Sequence, residues 1–183
     1  MADHRLRPRT SGAPDNGRDA PPHLVIPHLV IQYATRRRVG LPQRRSIQRW
    51  ADAAIAGGFV VTIRFVDAIE ARALNRRYRG KDYPTNVLTF SYDGAPAGKV
   101  QSAERAAAGA RQAGDIVLCS PVIAKEARAQ GKRLRAHYAH LIVHGLLHLQ
   151  GYDHEREQDA NRMESREREI LAGLGYSDPY APV

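Results

Sequence analysis

The stretch LIVHGLLHLQGYDH, residues 141–154, places three histidines in an otherwise apolar segment. His144 and His148 are four residues apart, so on a helix they share one face and can bind one ion without distortion of the backbone. Gly151 can adopt the left-handed conformation that ends a helix, which turns the chain back and brings His154 round as a third ligand. This spacing predicts a metal centre of three histidines on the most apolar, and therefore central, helix.

Three neutral imidazoles with an open fourth position are typical of a catalytic zinc site. Zinc in such a site lowers the pKa of a bound water from about 15.7 to roughly 7, so that hydroxide is present at neutral pH. The alternative is that each ring is a hydrogen-bonded core residue. The combined spacing of the three histidines disfavours that alternative.

Further polar residues lie beside these three in the sequence. His137 and His140 fall on the same helical face one to two turns earlier, and we interpret them as supporting or substrate-facing residues and not as ligands. Asp153 immediately precedes His154, where its carboxylate would either orient a ligand or cap the turn.

The spacing H-x-x-x-H-x-x-G-x-x-H is also that of the metzincin proteases, in which a glutamate directly follows the first histidine and serves as general base. Gly145 occupies that position here. Because glycine has no side chain to relay a proton, peptide hydrolysis by the metzincin mechanism is disfavoured. The metal ligands are retained, and the sequence indicates a different reaction.

Hydrophobic periodicity and turn residues predict alternating strands and helices along the chain. Strands are predicted at residues 28–36, 59–67, 86–92 and 115–119, and helices near residues 42–58, 68–78, 120–131, 133–150 and 157–175. Asp67 with Glu70 resembles a capping box, and Ser120 before Pro121 is predicted to be an N-cap. The expected fold class is α+β, with a small mixed β-sheet packed with helices and a central helix that carries the metal site.

A chain of 183 residues favours one domain, which we place at residues 24–183. Residues 1–23 contain Pro, Gly, Asp and Arg with almost no apolar residues, so we expect a disordered extension without a secretory signal. Residues 93–113 are rich in Ala and Gly and are predicted to be a mobile surface insertion.

The amino-acid composition indicates the cellular compartment and the kind of partner that the protein binds. No window approaches the roughly 18 consecutive apolar residues that a membrane span needs, so we expect no membrane partner. The single Cys119 excludes an internal disulfide framework and fits a reducing compartment, which predicts cytoplasmic localisation. The formal charge of +9 suits an anionic partner such as nucleic acid, although Arg-rich proteins can be basic without binding RNA.

Four motifs together resemble the YbeY family of bacterial endoribonucleases, over about residues 24–180. They are NRRYRGKDYPTNVLTF, GDIVLC, HGLLHLQGYDH and LGYSDPY, in that order along the chain. The resemblance implies a metal-dependent endoribonuclease specific for single-stranded RNA, which matures rRNA, especially the 3′ end of small-subunit rRNA, and acts in ribosome quality control. The implied partners are single-stranded rRNA and the small ribosomal subunit with its proteins.

The resemblance also implies roles for individual residues. It places one zinc per chain on His144, His148 and His154, and it places the functionally important arginine of the family at Arg79. A guanidinium near the metal can bind a scissile phosphate through two hydrogen bonds and stabilise the charge of a pentacoordinate transition state. Without the resemblance, Arg79 reads as a surface arginine after a helix.

The sequence departs from the family pattern at two places, and it leaves two alternative functions open. The segment NVLTFSYDG lacks the proline that the family usually has after the phenylalanine, and the insertion at residues 93–113 is long and Ala-rich for the family. Both departures concern the rim of the cleft.

The two alternative functions are a non-enzymatic ribosome-assembly factor with a structural zinc and, less favoured, a metalloprotease. Direct attack by hydroxide and attack by the 2′-hydroxyl of RNA both fit the ligand set.

Overall fold

The sheet consists of four strands, and the computed structural model describes residues 28–36, 38–55, 58–92 and 112–181. The strands are β1 (His28–Tyr33), β2 (Phe59–Val66), β3 (Val87–Ser91) and β4 (Gln112–Cys119). They lie in the order β1-β2-β4-β3. β1 and β4 both pair parallel with β2, whereas β3 pairs antiparallel with β4. The predicted small mixed sheet is therefore confirmed.

Within the described residues there are five helices. They are α1 (Arg44–Ala54), α2 (Ala68–Arg79), α3 (Ser120–Ala129), α4 (Leu134–Leu149) and α5 (Glu157–Gly173). α4 packs against α1, α3, α5 and strands β3 and β4, as predicted for the central helix. None of the helices within the described ranges is long and apolar enough to cross a membrane.

The two faces of the sheet support two hydrophobic clusters. In β2, Val61, Ile63 and Phe65 are fully buried on the face that meets α1 and α4, while Val60 on the other face is partly exposed. The smaller cluster lies on the opposite face and includes Val117 of β4 and Ala71 of α2. The period-2 alternation of β2 thus places α4 on one face and α2 on the other.

The two predicted helix caps differ in outcome. The side chain of Asp67 accepts hydrogen bonds from the backbone N–H groups of Ile69 and Glu70, both at 3.0 Å, as an N-cap should. The carboxylate of Glu70 binds Arg64 instead of closing the box. The N-cap prediction for Ser120 is wrong, because β4 runs directly into α3 and Ser120 is already the first helical residue.

β4 begins earlier than predicted, at Gln112, so it includes the last residues of the predicted insertion. Gly114 explains why the segment has no strong strand signal. A Cβ there would lie 2.4 Å from the backbone oxygen of Phe90 and 2.5 Å from the side chain of Leu149, so only glycine lets β3, β4 and α4 approach this closely. Residues 93–111 of the predicted insertion, and the predicted N-terminal extension, lie outside the described residues.

Candidate metal centre

The end of α4 positions the third histidine. Gly151 adopts a left-handed conformation (φ 86°), and its N–H donates to the carbonyl of His148 at 3.0 Å. The N–H of Tyr152 donates to the carbonyl of Leu147 at 3.1 Å, which completes a Schellman motif. The chain therefore turns back, and the ring of His154 lies 5.0 Å from that of His148 between centroids. The predicted turn at Gly151 is confirmed.

Hydrogen bonds fix which nitrogen of each helical histidine faces the centre. His144 Nδ1 lies 2.8 Å from Glu167 Oε1, and His148 Nδ1 lies 3.0 Å from the carbonyl of Tyr152. Both partners are acceptors, so each Nδ1 carries the proton and each Nε2 presents a lone pair. The two Nε2 atoms are only 3.1 Å apart. Two facing lone pairs at that distance repel each other unless a cation lies between them.

The spacing of these atoms suits a divalent cation. Zinc–nitrogen bonds of about 2.0–2.1 Å in tetrahedral geometry separate two ligand nitrogens by about 3.3 Å. The ligand atoms of His144, His148 and His154 all lie within 4.8 Å of one another, so the three residues could hold a metal ion. Burial, together with the neighbouring His144 and His154, lowers the pKa of His148 to about 4. His148 is therefore neutral at pH 7, which is the form that binds metal.

Glu167 of α5 is a functional residue that the sequence analysis missed. It is 0% exposed, and its second oxygen, Oε2, lies 2.9 Å from His140 Nε2. Burial alone would raise the pKa of Glu167, but the hydrogen bonds from His140 and His144 outweigh burial and hold the pKa at about 2. Glu167 is thus a buried carboxylate that orients the ring of His144, one of the three predicted ligands. The available signal was a charged residue between Met163 and Ile170 on the apolar face of the helix.

The two additional histidines of α4 lie away from the ligand atoms. His140 is held behind His144 by Glu167, so we interpret it as a supporting residue and not as a substrate-facing one. His140, His144 and Glu167 also form a second group with metal-binding atoms, but their contacts fit hydrogen bonds between ring N–H groups and a carboxylate. His137 is buried and pairs with Glu126 of α3 at 3.0 Å.

A cleft of about 700 Å³ connects the three histidines with Arg79. Arg79 is the last residue of α2 and not a loop residue, and Gly80 ends the helix with φ 69°. The cleft is lined by Arg79, Val87, Thr89, Phe90, Ser91, His144, His148, Asp153, His154 and Glu155. Asp153 Oδ1 accepts the N–H of His154 at 2.7 Å and so caps the turn. Glu155 is a second cleft carboxylate that the sequence analysis did not single out.

Gly145 has a packing role that bears on the protease alternative. A Cβ at this position would lie 3.0 Å from two atoms of Ile116 and 3.2 Å from Thr89 Oγ1. The helix therefore packs closely on β3 and β4 where a metzincin carries its glutamate. A side chain at this position would require Ile116 and Thr89 to shift, and Gly145 itself has no group that could serve as the general base of a metzincin.

Comparisons with known proteins agree with the motifs. The family model described as Endoribonuclease YbeY matches residues 40–175. Endoribonuclease YbeY of Nitrosospira multiformis is 49% identical over 181 residues, which cover 96% of this chain and 93% of that protein. Endoribonuclease YbeY of Aromatoleum aromaticum is 51% identical over 155 residues, which cover 84% and 92%.

Among solved structures, the solution structure of TM1509 from Thermotoga maritima matches with a TM-score of 0.49 and 22% identity. The match covers 84% of this chain and 99% of that one. The family model and the curated relatives confirm the resemblance seen in the four motifs. This chain belongs to the endoribonuclease YbeY family.

Proposed function

We propose that this chain is a zinc-dependent endoribonuclease that cleaves single-stranded RNA. Its proposed role is maturation of rRNA in the cytoplasm, especially of the 3′ end of small-subunit rRNA, and ribosome quality control on the small subunit and its proteins. The observation that carries the proposal is the single cleft shared by Arg79 and the three histidines. The names of the relatives support RNA cleavage, and the motif resemblance supports the rRNA substrate.

The three histidines would hold one zinc per chain through His144 Nε2, His148 Nε2 and a ring nitrogen of His154. When bound, zinc supplies Lewis-acid activation of water and of a phosphoryl oxygen. Glu167 and the carbonyl of Tyr152 keep the first two rings oriented before any substrate arrives. That preorganisation is what a catalytic metal requires of the protein.

Arg79 supplies the second part of the proposed mechanism. Arg79 lines the cleft together with the three histidines. A planar guanidinium can donate two parallel hydrogen bonds to the scissile phosphate, and these strengthen as negative charge develops on the phosphoryl oxygens. We infer that Arg79 is the catalytic residue that stabilises the transition state.

The cleft rim offers a reason for a single-stranded substrate. Tyr78 is 56% exposed, and its ring contacts Phe90 of the cleft with centroids 4.9 Å apart. The guanidinium of Arg77 lies 5.4 Å from the same ring. An exposed aromatic ring beside arginines favours stacking of an unpaired base and binding of the adjoining phosphates. A duplex would withhold its bases from Tyr78.

The ligand set disfavours the alternative of a structural zinc. Structural zinc sites usually have four protein ligands, whereas catalytic sites keep one position open. Across the part of the chain that the structure describes, the group at the mouth of the cleft contains three histidines and no fourth ligand. Three protein ligands in a cleft would leave a position for water or substrate on the metal, which favours a catalytic role.

The function is tested with one RNA sequence in two forms. Zinc-loaded protein is incubated with an end-labelled single-stranded fragment of small-subunit rRNA and with the same fragment annealed to its complement. We expect cleavage of the single strand and little or none of the duplex. Mapping the new ends distinguishes hydroxide attack from 2′-hydroxyl attack, which leaves a 2′,3′-cyclic phosphate. Equal cleavage of both forms, or of neither, would contradict the proposal.

A further inference from the structure

The motif LGYSDPY has no role in the mechanism above, yet the structure brings its last residue to the metal centre. Beyond α5, the N–H of Tyr176 bonds the carbonyl of Leu171, so the chain turns back over the helix. Lys132 Nζ then donates to the carbonyl of Pro179 at 2.6 Å, and Arg168 pairs with Asp178 at 3.3 Å. These contacts hold the C-terminal segment, residues 174–181, in place.

Tyr180 is fixed on both sides of its ring. The guanidinium of Arg168 lies 4.8 Å from the ring centroid, and the ring of His140 lies 5.4 Å away in an edge-to-face arrangement. Although the residue is 38% exposed, its hydroxyl points inward and donates to Glu167 Oε2. Burial and the adjacent Glu167 carboxylate raise the pKa of Tyr180, so the hydroxyl keeps its proton and remains a donor.

The contacts of Glu167 form a chain from the C-terminus to the metal ligand. Oε2 accepts from both Tyr180 and His140, while Oε1 accepts from His144 Nδ1. Two donors on one oxygen fix the carboxylate plane, and the fixed plane sets the direction in which the other oxygen holds His144. Without the Tyr180 hydroxyl, Oε2 keeps only the hydrogen bond from His140, and the carboxylate is held less firmly.

From this arrangement we propose that Tyr180 is a positioning residue of the metal centre, which acts through Glu167 to hold His144 in its ligand orientation. The inference rests on the proposed zinc centre and extends it to the C-terminal segment. Outer hydrogen-bond partners of metal ligands typically contribute about 10- to 100-fold to metal affinity. Tyr180 is one step further out than Glu167, so its hydroxyl should contribute less than Glu167 does.

The test uses Tyr180→Phe, which removes the hydroxyl and keeps the ring against His140 and Arg168. Zinc affinity is measured by competition with a chromophoric chelator, and the ligand field is measured from the visible spectrum of the cobalt-substituted protein. We expect zinc affinity to fall about three- to tenfold in Tyr180→Phe and about 10- to 100-fold in Glu167→Gln. The cobalt spectrum should shift in both variants.

Tyr176→Phe is the matched control, because the same segment then loses a hydroxyl that accepts hydrogen bonds from Trp50 Nε1 at 3.1 Å and Arg135 Nε at 3.2 Å. Melting of the metal-free proteins reports general loosening, and Tyr176→Phe should melt earlier than the parent yet bind zinc within about twofold of it. Two results would overturn the inference: unchanged zinc affinity and cobalt spectrum in Tyr180→Phe, or an equal loss of zinc affinity in Tyr176→Phe. If the wild-type protein binds no zinc, the proposed function is overturned as well. If the wild-type protein binds zinc and Tyr180→Phe binds it equally tightly, only this inference is overturned.

Discussion

Replacement of His148 by alanine is expected to remove most of the bound zinc while the fold persists. The wild-type protein should carry about one zinc per chain, because three imidazoles converge on one point. His148→Ala leaves two ligands, and the loss of a direct ligand should exceed the 10- to 100-fold loss of affinity that removal of an outer partner causes. Metal content of the purified protein and its circular dichroism spectrum are the two measurements.

His137→Ala provides the control for this variant. His137 lies on the same helix and is buried, whereas His148 is half-buried, and it binds Glu126 and belongs to neither group of metal-binding atoms. Its loss should lower the melting temperature, since it leaves a cavity and removes one of the two hydrogen bonds to Glu126 Oε2, yet zinc content should stay near one per chain. Full zinc content in His148→Ala would contradict the assignment of the ligands.

Arg79→Ala is expected to slow RNA cleavage by about a hundred- to a thousandfold, with zinc content nearly unchanged. Removal of one well-placed donor to a developing oxyanion costs about 3–4 kcal/mol of transition-state stabilisation. The melting temperature should also be nearly unchanged, because Arg79 is exposed at the end of α2 and makes no ion pair with any described residue. Single-turnover rates at saturating enzyme measure the loss.

Two further variants test whether cleavage requires the guanidinium group at position 79 specifically. Arg79→Lys should recover little of the rate, since a point charge does not reproduce a planar contact through two hydrogen bonds. Arg76→Ala is the matched control, because Arg76 lies in the same helical turn but lines a separate groove with Ile69 and Arg72. If Arg79→Ala cleaves at the parental rate, Arg79 is a surface residue of α2 without a catalytic role.

The grouping of the three histidines could be predicted from sequence because their geometry is local. The spacing of His144 and His148 and the turn at Gly151 involve residues within one helix and its cap. Glu167 and Tyr180 could not be predicted in the same way, because they reach the centre through packing of α5 and the C-terminal segment against α4. Local patterns identify ligands, whereas the groups that orient them depend on tertiary structure.

In the fold, too, local features could be predicted from sequence, whereas features that depend on tertiary contacts could not. Alternating strands and helices indicated the class and the central helix, but the order β1-β2-β4-β3 depends on pairings between distant segments. Ser120 has the right chemistry for an N-cap, yet it lies inside α3 because Cys119 is still paired in the sheet through its N–H to the carbonyl of Asn86. Gly114 breaks the strand pattern in sequence and permits the close approach of β3, β4 and α4 in the structure.

The proposed function requires that the site of three histidines cleaves RNA once it holds zinc. The most direct test is titration of zinc into metal-free wild-type protein while single-turnover cleavage of a single-stranded RNA oligonucleotide is followed. A zinc-dependent mechanism at these histidines predicts a rate at background without zinc, a linear rise, and a plateau at one zinc per chain, with no rise in His144→Ala. Cleavage by the metal-free protein at the zinc-loaded rate, or by His144→Ala at the wild-type rate, would contradict it.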